Sequence, residues 1–361
     1  MRRLLLPCLI ILLLLGCTPA PPAPVTQALY AFRPDPPAAI LQFSEDLETI
    51  AREYPLAMPP GCSVFNMFAP PRGAVLAIEL SCAFGQTVVL LDAEAGTFSQ
   101  AYTDADSHFL AWDAQGKSVY LKVDSFSGPH IVRVDVGGTQ DSVPITEFTY
   151  DLSVAPDNKR FTFSFSRGLG LGSEMWLARG GGAVVSQLLA DPDNYLSLAR
   201  WSPDGKRIAF IKIRDSETPF TAGELWVMEA GPSLRSGQAA SGAHFLAMAD
   251  AGHGYAPAWS PDGKQIAFVL RENLLDATAD LEAGALTSNI YIVDLESGQV
   301  RALTHLEGAL VEAPAWSPDG HLLAFDLVLD SIISLRVADA ATGEIRPIPA
   351  RSACCPVWMR K

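Results

Sequence analysis

Cations and long apolar runs are both scarce in this 361-residue chain. Lys and Arg number 26 against 40 Asp and Glu, a formal net charge of −14. That balance argues against nucleic acid as a partner and against an electrostatic hold on anionic lipid. It leaves a cationic partner, bound cations or plain solubility. The longest apolar run, Leu4–Leu15, is too short to span a bilayer. Helical periodicity is confined to Glu45–Tyr54 and Leu274–Leu286. Catalytic signatures are missing too: there is no G-x-S-x-G elbow, no H-E-x-x-H, no P-loop and no EF-hand spacing. The six His residues form no pair at i, i+2 or i, i+4, so no metal-ligand spacing stands out. Gly168–Gly172 alternates like a nucleotide fingerprint, but no helix follows, and it reads as a hairpin loop. No residue earns a catalytic, cofactor-binding or metal-ligating assignment.

What the chain does have is a repeat. Ala199-Arg200-Trp201-Ser202-Pro203-Asp204-Gly205-Lys206 recurs as Ala258–Lys264 and Ala315–His321, each time ahead of a β-prone apolar stretch. Pro presets φ, Asp bonds its own backbone and Gly accepts positive φ, so the motif reads strand, tight turn, strand. Weaker copies occur at Phe68–Gly73, Trp112–Lys117 and Val154–Lys159, with a last half-copy at Cys355–Trp358. The Trp-equivalent positions are therefore Phe68, Trp112, Val154, Trp201, Trp259, Trp316 and Trp358, spaced 42 to 58 residues apart. Such spacing suits four-stranded propeller blades, strands A to D, with insertions in two of them. The repeated Trp, Asp and Gly residues are expected to be packing and turn residues rather than a site.

The sequence resembles the TolB-like β-propeller, whose hallmark is this Ala-Trp-Ser-Pro-Asp-Gly-Lys sentence. The resemblance covers roughly 62–361. It implies an all-β propeller in which the last strand joins N-terminal strands to close the ring. Six full repeats plus that strand favour seven blades over six, with Gln27–Phe32 and Ala38–Phe43 as partner strands. The resemblance also implies envelope assembly or import roles. TolB itself carries an α/β domain ahead of its propeller, and only the short stretch from Cys17 precedes the first repeat here. A Tol–Pal role is therefore not carried over.

Four segments follow from this: a leader at 1–16, a tether at 17–26, an N-terminal segment of ring-closing strands and a short helix at 27–61, and the propeller at 62–361. Arg2 and Arg3, the apolar run and Leu14-Leu15-Gly16-Cys17 resemble a bacterial lipoprotein signal peptide, which makes Cys17 the expected lipidation site. The Pro-rich Thr18–Thr26 would hold the domain off the membrane. Cys62 begins strand A of the first unit and Cys82 ends its strand B. Antiparallel pairing sets them opposite, so a Cys62–Cys82 disulfide is expected, in keeping with an oxidising compartment. Cys354 and Cys355 are left as thiols or as a vicinal disulfide.

Strand connections alternate between the two ends of a blade, so D–A and B–C loops share one face. The large insertions Asp215–Gly223 and Glu272–Ser288 are B–C loops, and loops on a rigid scaffold commonly carry binding groups. The Gly/Ser-rich C–D excursion Ala230–Ala243 lies on the opposite face. The candidate binding face comprises Asp104, Asp106, His108, Glu147, Tyr195, His253, Tyr255, Glu307 and Glu312, an acidic, aromatic-dotted mouth partly covered by Glu272–Ser288. Its ligand would be a cationic peptide, a metal ion or a sugar. The favoured reading is a membrane-tethered envelope lipoprotein that binds a protein or peptide without catalysis. The alternatives are a propeller lyase or hydrolase acting on glycans or peptides at the channel mouth, and a solute-sensing or structural lipoprotein.

Overall fold

In the computed structural model, residues 26–103, 106–126, 128–215, 218–230, 242–250 and 255–360 are described. Cys17 and all of the tether but Thr26 therefore lie outside the described residues, as do Asp104, His253 and most of the Ala230–Ala243 excursion. The described strands form seven four-stranded antiparallel sheets. Blade 1 pairs the closing strand Cys354–Arg360, as its inner strand A, with Gln27–Arg33, Ala39–Phe43 and Ile50–Pro55. Blades 2 to 7 follow in sequence over 63–100, 106–143, 149–191, 194–250, 258–302 and 310–351. Their inner strands are Ser63–Phe68, Asp106–Trp112, Thr149–Val154, Asn194–Trp201, Ala258–Trp259 and Leu310–Trp316. The ring has seven blades, closed as expected by the last strand.

The segment Glu45–Tyr54, expected as a short helix, is instead a turn followed by the outer strand Ile50–Pro55. Leu274–Leu286 likewise contains only a short 3-10 turn at Ala283–Ala285. Ile50–Pro55 exposes three consecutive residues at the rim, so it carries no period-2 signature.

Seven hydrophobic clusters, one at each contact between neighbouring blades, take the place of a single central core. Alternation along a strand makes this possible. In Gln27–Arg33, Ala28, Tyr30 and Phe32 pack toward blade 2, whereas Leu29 and Ala31 pack toward blade 7. Strands B are covered on both faces and so read as largely apolar runs, such as Ile266–Leu270 within Gln265–Arg271. Outer strands such as Thr97–Gln100 are largely exposed.

The repeat motif is accounted for atom by atom. Ser202 Oγ donates to Asp204 Oδ1 at 2.6 Å and accepts the Arg207 amide at 2.9 Å, while Asp204 Oδ1 accepts the Lys206 amide at 3.1 Å. Ser260 with Asp262, and Ser317 with Asp319, repeat the pattern. Gly205, Gly263 and Gly320 adopt φ of +69°, +71° and +78°, the left-handed values these turns demand. Each Trp indole then donates to a carbonyl of the preceding blade: Trp201 to Ser153 at 3.1 Å, Trp259 to Arg200 at 2.9 Å, Trp316 to Ala258 at 2.9 Å and Trp358 to Ala315 at 3.2 Å. The Trp residues are inter-blade ties, as expected. The Cys62–Cys82 disulfide is present and joins the two ends of the first hairpin of blade 2.

Candidate functional site

Two cavities open along the axis where the inner strands converge. One, of about 640 Å³, lies at the A–B turns and is lined by Trp112, Trp201, Trp259, Trp316 and Trp358 with Pro156, Pro203, Pro261 and Pro318. The other, of about 550 Å³, lies toward the D–A loops. Met67, Phe68, Phe109, Leu110 and Arg200 line both, so the two are mouths of one channel. Phe68 and Phe109 stack at 4.0 Å between ring centroids within it.

The second mouth is the chemically varied one, with Asn66, Glu79, His108, Lys122, Tyr150, Asp151, Arg200 and Tyr255 on its wall. Inner strands carry β-bulges there, for example between Ser197 and Arg200 and between Glu312 and Ala315. Leu198, Ala313 and Cys355, each three residues before a Trp, take φ of +56°, +49° and +62° in these bulges. A bulge takes a backbone amide out of the ladder, and buried carboxylates recapture it. Asp151 accepts the Ala199 amide at 2.7 Å and Arg200 Nη1 at 3.2 Å. Asp326 accepts the Cys355 amide at 2.7 Å.

Glu79, Lys122 and Asp326 share one register, six residues after the turn glycines Gly73, Gly116 and Gly320. They place charges inside otherwise apolar strands B. Glu79 is buried and lies 3.5 Å from His108 Nδ1, while Asp106 lies 3.8 Å from His108 Nε2. The hydrogen bond to Glu79, above all, raises the His108 pKa over its ordinary value. Asp106 also accepts the Gln86 amide, tying blade 3 to the hairpin of blade 2. Burial pushes up the Tyr150 hydroxyl, which donates to the Leu196 carbonyl at 2.8 Å. Tyr255 is pushed up by burial and then by the neighbouring Glu312 carboxylate. Burial lifts Asp326 to about 8.

Of the residues expected at this face, His108 and Tyr255 line the mouth, with Asp106 and Glu312 directly behind them. Tyr195 packs edge-on against Tyr150 at 5.9 Å. Glu147 and Glu307 are exposed on loops away from the cavity wall. The segment 272–288 does not line the mouth. Instead it is pinned down by the fully buried Arg271, which donates to the Phe220 carbonyl at 2.8 Å, to Asp280 at 2.7 Å and to the Asp276 carbonyl at 2.9 Å. Glu79, Lys122, Asp151 and Arg200, absent from the face expected from the loops, sit on strands instead. For Glu79 and Lys122 a charge interrupting an apolar strand B marks the position, whereas Asp151 and Arg200 lie on inner strands that carry no such mark.

The same face carries an apolar fringe. Phe84, Phe126, Leu169, Leu171, Leu275, Leu281 and Ile332 are exposed, and each sits in or at the edge of a B–C connection. Phe148 lies on a D–A connection, and Phe65, also exposed, lines the mouth.

No family model matches the chain. A 123-residue stretch is 30% identical to the "Uncharacterized peptidase YuxL" of Bacillus subtilis (strain 168), spanning 34% of this chain but 15% of that protein. Among solved structures, an oligogalacturonate lyase in complex with manganese is similar with a TM-score of 0.59 at 14% identity, covering 91% of this chain and 86% of that one. TolB from Acinetobacter baumannii is similar with a TM-score of 0.48 at 17% identity, covering 93% and 83%. Among the described residues no helix is long and apolar enough to cross a membrane. By its seven four-stranded blades and its closing strand, the chain is a seven-bladed β-propeller, built on a repeat that resembles the TolB-like one.

Proposed function

We propose that this protein is an envelope lipoprotein, anchored through Cys17, whose propeller binds a protein or peptide without catalysis at the D–A and B–C face. The observation that carries this reading is the apolar fringe on the face that holds the polar mouth. Exposed large apolar side chains gathered on one face mark an interaction surface, and aromatic residues around polar groups are the usual make-up of one. The carboxylates at and behind the wall support recognition over reaction, because Asp151 and Asp106 are engaged in backbone and cross-blade bonds. A cationic peptide segment entering the mouth would meet Glu79, Asp151 and Tyr255.

The test is crosslinking in intact cells, using full-length protein tagged after Lys361, followed by capture. One stoichiometric envelope protein is expected, lost in a Phe84→Asp/Phe126→Asp double variant that retains the wild-type melting temperature. Retention of the same partner by that variant would sink the assignment of this face.

A second reading, a lyase or hydrolase, is favoured by one specific observation: His108 held between Glu79 and Asp106 at the mouth, a pairing suited to general acid–base work. Turnover of a glycan or peptide, abolished by His108→Gln with binding retained, would replace the first reading with this one.

A further inference from the structure

Cys354 and Cys355 open the closing strand, with their Sγ atoms 2.7 Å apart. Non-bonded carbon atoms rest at roughly 3.5–4.0 Å, and sulfur is larger, so two free thiols are crowded here. The fold imposes this crowding. Cys355 has φ +62°, as Leu198 and Ala313 have left-handed values at the same repeat position, and its amide is held by Asp326 at 2.7 Å. Asp326 is 3% exposed, and its second oxygen, Oδ1, has no hydrogen-bond partner among the described residues. An oxygen of this carboxylate and the two sulfurs all lie within 4.8 Å of one another. A buried carboxylate oxygen left open is costly, and the thiols are its available proton donors. Both cysteines are partly exposed, and Pro356, next in the chain, lines the channel mouth.

We propose that Cys354 and Cys355 are a redox-active vicinal pair that cycles between a dithiol and an intrachain disulfide, with Asp326 as proton acceptor. The oxidant is a disulfide-bearing thiol compound. One cysteine transfers its proton to Asp326 and attacks a sulfur of the oxidant, forming a mixed disulfide and expelling one thiolate. The second cysteine attacks the mixed disulfide at the first cysteine's sulfur, expelling the other thiolate. The two thiol protons end on the two expelled thiols, so a dithiol and one disulfide become a vicinal disulfide and two thiols. Adjacent Cα atoms lie closer than the separation most disulfides adopt, so the bond is readily reduced again. Burial makes Asp326 a stronger base than an ordinary carboxylate, and it is its ionised form, whose share grows as pH rises toward about 8, that takes the proton.

The experiment uses full-length protein isolated without reductant, blocked with N-ethylmaleimide and mapped by mass spectrometry. The peptide carrying Cys354 and Cys355 is expected without adduct. Mild dithiothreitol should then expose both thiols to alkylation. Oxidised glutathione should re-close the reduced pair with no glutathione retained. Cys355→Ser should instead stop at one glutathione on Cys354. Asp326→Asn, which still offers Cys355 an acceptor, should slow closure by about tenfold or more. Thiols that remain alkylatable after glutathione treatment would overturn the proposal. So would two retained glutathiones, or a thiolate-to-cobalt charge-transfer band when the reduced pair meets cobalt(II), which would make it a metal site instead.

Discussion

Asp326 shows how one buried side chain ties stability to pH. In an unfolded chain its carboxyl titrates near 3.9, whereas burial, then the proximity of Glu312, holds it at about 8 in the fold. Between those values the folded state binds more protons than the unfolded one, so this group's contribution to stability falls as pH rises from about 4 to about 8. The amide of Cys355 opposes the shift without cancelling it. Asp326→Asn removes the titration. The variant should therefore gain melting temperature relative to wild type across that window, with Cys354 and Cys355 held in the same redox state in both. A constant difference from pH 4 to pH 8 would contradict the assignment. His108 has the same sign for a different reason: its pairing with Glu79 helps most below about 6.5, the ordinary histidine value, and fades as pH passes through the raised folded value.

At the scale of the element, the strand–turn–strand unit is what the sequence displays most openly. Ser, Pro, Asp, Gly and Trp each satisfy a separate local requirement, and the requirement recurs in every blade that keeps the motif. Trp259→Phe keeps one aromatic ring in the blade contact but removes the indole N–H from the Arg200 carbonyl, together with part of the packed ring area. Urea unfolding should show a loss of about 1 kcal/mol, and an unchanged midpoint would deny the bond its role. Less of the outer strands was legible. Ile50–Pro55 and Thr97–Gln100 are mostly exposed, so neither apolar alternation nor a run marks them. The site was legible in part. His108 and Tyr255 fall next to loops and were found, whereas Glu79, Lys122 and Asp151 are placed by strand register and by bulges. Bulges depend on how seven strands converge on one axis, which no local pattern encodes.

For the whole molecule, charge and shape act at different ranges. A formal net charge of −14 creates a field that draws a cationic partner from beyond contact distance and is screened by salt over about 10 Å at 0.1 M. Association of the captured partner should therefore slow as ionic strength rises, with dissociation much less affected. Stopped-flow or surface-binding kinetics across a salt series would check this, and a salt-independent association rate would remove electrostatics from the recognition. The short-range part belongs to the exposed side chains at the B–C connections, whose contacts salt does not screen.

Ring closure has a consequence for how the protein is made. Gln27 pairs with Arg360, and Tyr30 with Val357, so the first described strand hydrogen-bonds to the last. During synthesis the three strands of blade 1 emerge early but lack their inner partner until residues 354–360 arrive. Contacts this distant in sequence are formed late and slowly. Until then Leu29, Ala31 and Leu41 face an absent neighbour, and the nascent ring is a crescent with two sticky ends. Strand order thus sets how long these apolar edges stay open to unwanted pairing, from the emergence of the first blade until residues 354–360 arrive.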